Sequence, residues 1–286
     1  MQIFNNDDTV RFDPDKHSYT KRIGGEKLTS ATRIIQKVIT PFDRYGISLN
    51  MAKAKAFTEG GSIKEAQDKI LDEWNAKLIS ATKRGNWIHD NLEKYQLGGE
   101  CDPKMGDAIE QLQPIFESGY RYYTEARTYS LAHMAAGTGD LIVQRQRRFS
   151  SLFDFYDYKT NEAKGIQFDS INRKKSPVKH YNRFLMAPLD YLEDCNYNHS
   201  ALQLSIYAFM AQITWGLKIG KLAILYIDND LKLHQYPVPY MKQEVKILLE
   251  HNLNLKPLPQ FKNASFENTK GLHDQAVKHP NDDDDW

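Results

Sequence analysis

Apolar and polar positions follow two different rhythms along this chain, and the change between them divides it. The opening reads as short extended pieces at Thr9–Asp13 and His17–Arg22, a Gly24-Gly25 turn, and a Ser/Thr-rich lead-in to a helix near Ser30–Val38. Pro41 stops that helix, since proline lacks a backbone donor and biases the residue before it away from helical geometry. Helical spacing then predicts Arg44–Glu59, Ser62–Ser80, Ala81–Gln96 and Asp107–Ser118, with Gly98-Gly99 as a break. Residues 1–120 are therefore expected to form a mainly helical N-terminal part.

The rhythm shortens after residue 120. Arg121–Ser130, Thr138–Val143 and Ser151–Tyr158 are rich in Tyr, Thr, Val and Phe with partial alternation, which predicts neighbouring strands. A polar, basic loop over about 161–183 follows, then a helix at His199–Thr214, strands at Lys221–Ile227 and Lys232–Tyr236, and a helix near Met241–Asn252. Residues 255–286 are polar and are expected to be a loose acidic tail. The order of elements predicts an α/β or α+β fold with a central mixed sheet flanked by helices, its sheet-bearing core over 121–254.

Composition narrows the class without naming a function. The chain has 286 residues, 41% apolar and 26% charged, as expected of a globular protein with a substantial core. No apolar run approaches the roughly 18 residues of a membrane span, and MQIFNNDDTV lacks the pattern of a signal peptide, so an intracellular protein without a membrane partner is expected. Cys101 and Cys195 are the two cysteines; a Cys₄ zinc site or Cys-ligated iron–sulfur cluster within one chain is excluded, and any metal must rely on oxygen or imidazole.

Charge is balanced globally, 38 basic against 37 acidic residues, which argues against coating nucleic acid by charge alone. Its distribution is uneven. Gln144–Arg183 holds ten Lys or Arg against four Asp or Glu, while Asp282–Asp285 precede the terminal Trp286. Arg145, Arg147, Arg148, Arg173, Lys174, Lys175, Lys179 and Arg183 can be solvated loop charges or phosphate contacts, and their placement around the central strands favours the latter.

The candidate chemistry lies on those strands. Gly137-Thr138-Gly139-Asp140 and, about a hairpin later, Asp157-Tyr158-Lys159 each place a carboxylate at the end of an apolar strand. If the strands pair, Asp140 and Asp157 can share a divalent ion completed by water and phosphate oxygen. Lys159, two residues beyond Asp157, projects from the same strand face, where an ammonium can orient or help deprotonate water and offset charge on a phosphorane. An Asp-x-Lys alone is common; its company adds weight. Gln203 and Tyr207 lie on one helix face, and Arg84-Gly85-Asn86-Trp87-Ile88-His89 lies on an upstream helix. Taken alone, Gln203 and Tyr207 can equally be the polar edge of a helix whose core face is Leu202, Ile206, Phe209 and Ile213.

Leu28–Thr32, Gly85-x-x-x-His89, Gly137–Asp140, Asp157–Lys159 and Gln203-x-x-x-Tyr207, in this order, resemble the PD-(D/E)XK nuclease superfamily, in particular its RecB-like branch of phage and mitochondrial genome maintenance exonucleases. The resemblance spans roughly Leu28 to Tyr236. It implies a restriction-endonuclease-like core with a helical part contributing His89. It further implies a Mg²⁺- or Mn²⁺-dependent deoxyribonuclease, an exonuclease first, with a structure-specific endonuclease or a non-cleaving recombination or packaging module as alternatives. Carried over, Asp140, Asp157, His89 and the Tyr158 carbonyl become metal ligands, Lys159 the catalytic lysine, and Gln203 and Tyr207 groups that position the catalytic residues or the DNA strand. Glu125 matches a further acidic position of the family. A nucleotide-binding Gly-Lys-Ser/Thr loop is missing, so no nucleotide cofactor is expected. The acidic tail ending in Trp286 resembles tails of phage replication and single-stranded DNA-binding proteins, which implies docking on a replication or recombination partner.

Overall fold

A computed structural model describes residues 2–116, 120–147, 150–160, 166 and 183–254. The side chain of Arg147, residues Arg148, Arg173, Lys174, Lys175 and Lys179, and the acidic tail with its expected partner docking lie outside the described residues.

Three short strands open the chain, β1 (Val10–Asp13), β2 (Ser18–Lys21) and β3 (Lys27–Ser30), joined as an antiparallel meander. The Ser/Thr-rich stretch at the helix lead-in is thus itself a strand, and Ser30 both ends it and caps α1 (Ala31–Gln36) by accepting the Arg33 N–H. Asp43 caps α2 (Arg44–Glu59), and Gly60 at φ 73° ends it. Ser62 caps α3, which runs unbroken over Ile63–Gln96 where two helices are expected from the pattern. The apolar stripe fades around Ser80 because α3 there lies in solvent; no proline interrupts the helix, and Gly85 is accommodated within it. A short α4 (Gly106–Leu112) follows.

The remaining elements are β4 (Arg121–Ser130), β5 (Ala135–Arg147), β6 (Ser150–Lys159), α5 (Asn196–Trp215), β7 (Ile219–Ile227), β8 (Leu233–Val238) and α6 (Lys242–Asn254). They build a mixed sheet. β5 pairs antiparallel with β4 along one edge. Its other edge is divided: Ala135 and Ala136 pair with β3 in parallel, and from Leu141 onward β6 takes over antiparallel. β6 then pairs in parallel with β7, and β7 antiparallel with β8.

Helices cover both faces, as the alternation of the strands demands. Ile142, Phe153, Phe155, Leu222, Ile224 and Tyr226 pack with α1, α5 and α6, whereas Leu141, Val143, Tyr156, Tyr158, Ala223 and Leu225 pack with Ile88 and Leu92 of α3 and with α4. The chain is a mixed α/β fold with a central mixed sheet flanked by helices. α5 is buried almost all round, so it lacks the single apolar face read from its sequence; Ile213, assigned to that face, is 44% exposed. Among the described residues no helix is long and apolar enough to cross a membrane.

Candidate metal centre

β5 and β6 are paired from Leu141↔Tyr156 outward toward their hairpin, and beyond that pair they part. Asp140 and Asp157 stand at the fork. The Tyr158 N–H donates to Asp140 Oδ2 at 2.6 Å, so a carboxylate takes the place of the next backbone acceptor. Because β3 reaches only as far as Ala136, the stretch Gly137–Asp140 has no ladder partner on that edge, and space is left for side chains.

Glu125 reaches the same point from β4. The pairs Thr124↔Leu141 and Ala126↔Gly139 bracket it opposite Asp140, and its backbone is left-handed at φ 44°. His89 arrives from α3. Arg84 donates to the carbonyls of Thr160 at 2.9 Å and Asp228 at 2.5 Å, fixing α3 across the ends of β6 and β7. Gly85 allows that approach, since a Cβ there would sit 3.3 Å from Thr160 Oγ1. One turn on, the His89 ring packs edge-on against Tyr158 at 5.7 Å, while the Tyr158 hydroxyl accepts from Gln96.

His89, Glu125 and Asp140 thereby bring ligand atoms within 4.8 Å of one another. Ligands on one ion at bonds of about 2.1–2.3 Å lie at most about 4.5 Å apart, so small rotations of these side chains would close the group on a cation. Two carboxylates and an imidazole offer oxygen and nitrogen donors of the kind that can hold a divalent cation. Burial pushes the Asp140 carboxyl up to about 6, aided by the charge of Asp157 and opposed by His89, Lys159 and the Tyr158 N–H. Glu125 reaches solvent as a residue, yet loss of hydration around its carboxyl, with the charges of Asp140 and Glu93, pushes it up to about 7. Crowded carboxylates of this kind are relieved by a bound cation.

Asp157 is outside this three-residue group and turns to Lys159. It is buried, and its Oδ2 lies 2.5 Å from Lys159 Nζ as an ion pair. Lys159 also donates to Gln203 Oε1 at 3.4 Å, and Gln203 Nε2 donates to the Tyr207 hydroxyl at 2.8 Å. Burial works to lower the Lys159 pKa, but Asp157 and Asp140 outweigh it, and the ammonium is held charged. The two glycines before Asp140 have a physical reason: a Cβ on Gly137 would meet the Tyr207 ring at 2.3 Å, and one on Gly139 would touch it at 3.5 Å. Gly-x-Gly-Asp is the floor on which Tyr207 lies.

Tyr158 sets its N–H on Asp140, its hydroxyl against Gln96 and its ring on His89. Arg145 differs from the sequence expectation of a phosphate contact. Its guanidinium pairs with buried Asp154, which also accepts the Lys221 N–H at 2.7 Å, so this charge ties β5, β6 and β7 together. The sequence assigns no role of their own to Arg84, the first residue of the Arg84–His89 run, or to Gln96; their signal is adjacency to Gly85 and helical phase with His89. No protein-family model matches the chain, and no curated protein matches it.

Proposed function

We propose that this chain is a Mg²⁺- or Mn²⁺-dependent nuclease that hydrolyses DNA phosphodiester bonds, with a restriction-endonuclease-like core of the RecB-like kind and an exonuclease's need for free ends. The observation that carries the proposal is the convergence of His89, Glu125 and Asp140 beside the Asp157–Lys159 ion pair at the fork of β5 and β6.

A bound divalent ion would supply Lewis acidity toward a phosphate oxygen and lower the pKa of a water. His89, Glu125 and Asp140 would hold it, with Asp157 at the adjoining edge. Lys159, whose ammonium is favoured by the charges of Asp157 and Asp140, would stabilise charge on the phosphorane and orient or help deprotonate the attacking water. Asp157 and Gln203 fix its position, and Tyr207 fixes Gln203.

The test is incubation with Mg²⁺ or Mn²⁺ on linear and closed-circular DNA, single- and double-stranded, labelled at either end. Linear DNA should be degraded from a terminus and closed circles should survive. Rapid nicking of circles would replace the exonuclease with an endonuclease; no cleavage of any substrate with either ion removes the nuclease reading.

A further inference from the structure

Glu125 occupies a backbone region that non-glycine residues seldom enter, and it does so inside a strand whose register continues unshifted on both sides. Such strain persists only where neighbouring structure enforces it. Here the enforcing group is a side chain from the N-terminal turn Phe4–Asn6.

Asn5 Nδ2 donates to the carbonyl of Thr124 at 3.2 Å and to that of Glu125 at 3.1 Å. In an extended strand successive carbonyls point to opposite edges; two on one edge are what the left-handed turn at Glu125 produces. Asn5 Oδ1 accepts from the Arg127 backbone N–H at 3.0 Å and from Arg127 Nε at 3.2 Å. The amide orientation is fixed by this set, because exchanging O and N would set donors against donors and the oxygen against carbonyls. A single Asn thus stands in for a missing strand along the outer edge of β4. It is itself held: Phe4 is 1% exposed and packs on Tyr123, Phe153 and Trp215, while Arg127 binds the Asn5 carbonyl at 3.0 Å.

We infer that Asn5 is a positioning residue of the metal centre, locking the left-handed turn that aims the Glu125 carboxylate at Asp140 and His89. This rests on the metal-centre reading above. Without the amide clamp, Glu125 relaxes to an extended conformation and its carboxylate leaves the ligand group.

The test is Mn²⁺ affinity, read from the electron paramagnetic resonance of free Mn²⁺ without DNA, for the full chain, Asn5→Ala, Glu125→Ala and the double variant. Asn5→Ala should weaken binding at least about tenfold, the scale of removing a group that orients a ligand. Glu125→Ala should do the same, and the double variant should bind no more weakly than Glu125→Ala alone. Unchanged affinity in Asn5→Ala, or losses that multiply in the double variant, overturn the inference. If Glu125→Ala itself binds Mn²⁺ like the full chain, the metal-centre reading of Glu125 has failed and Asn5 has nothing to position. Should Asn5→Ala not fold, Asn5→Asp carries the same comparison, since it keeps an acceptor for Arg127 while setting a carboxylate oxygen in place of the donor to the two carbonyls.

Discussion

The raised carboxyls of Asp140 and Glu125 make the centre sensitive to protons. Their ordinary values are 3.8 and 4.5, against about 6 and about 7 here. Across that interval the folded protein holds protons that the unfolded chain has released, so these groups make the metal-free protein less stable as pH rises from about 4 to 7. Melting in chelator should therefore fall more steeply with pH than in Glu125→Gln, and Mn²⁺ affinity should climb over the same interval as protons stop competing; parallel melting curves for the two proteins would refute the assignment. Lys159→Ala and Asp157→Ala should each slow cleavage at least about a hundredfold, the cost of a transition-state electrostatic contact. A fully active Lys159→Ala protein would sink the proposed role. His89→Ala should weaken Mn²⁺ binding more than DNA binding, with activity partly restored at higher Mn²⁺; an unchanged metal titration would take His89 out of the centre. Residue types and spacing made Asp140, Asp157 and Lys159 legible as candidates, and the family resemblance added His89. The conformation of Glu125 was not, because nothing in Thr-Glu-Ala advertises a left-handed turn of the kind Gly or Asn would announce.

Elements were legible where residue type and end signals mark them. α2 and β4 occupy the spans that the pattern predicts, Arg44–Glu59 and Arg121–Ser130. Pattern failed where environment changes along an element, as in α3, which passes from solvent into the core, and in β3, too short to show alternation. It failed also for Arg145, since a charge run looks the same whether its members are solvated or paired with a buried Asp154. The contact between β5 and α5 yields a sharp expectation. Gly137→Ala should destabilise the protein by about 1–3 kcal/mol, the usual cost of overpacking, because the Tyr207 ring occupies the space. Denaturant melts should show most of that penalty vanish in a Tyr207→Ala background, as the ring is then absent; an undiminished penalty would mean that the glycine is needed for backbone reasons instead.

At the scale of the whole molecule, the candidate centre joins residues far apart in sequence, from α3, β4, β5, β6 and α5, so it exists only when the sheet and both helical layers are in place. Mn²⁺ at about a hundred times its dissociation constant should stabilise the fold by about 2.7 kcal/mol. For a chain of this size that corresponds to about 4–5 °C in Tm, removed by chelator and absent in Asp140→Ala; an equal gain in Asp140→Ala would place the ion elsewhere. The divided edge of β5 has a further consequence. A strand held by one neighbour on each side can slip by a residue, which would turn Asp140 to the opposite face. β5 is indexed three times over, to β4 along its length, to β3 in one direction at Ala135–Ala136, and to β6 in the other from Leu141. Like the paired scales of a vernier, the parallel and antiparallel alignments agree at one setting only, and that setting brings Asp140 level with Glu125 and within reach of the Tyr158 amide.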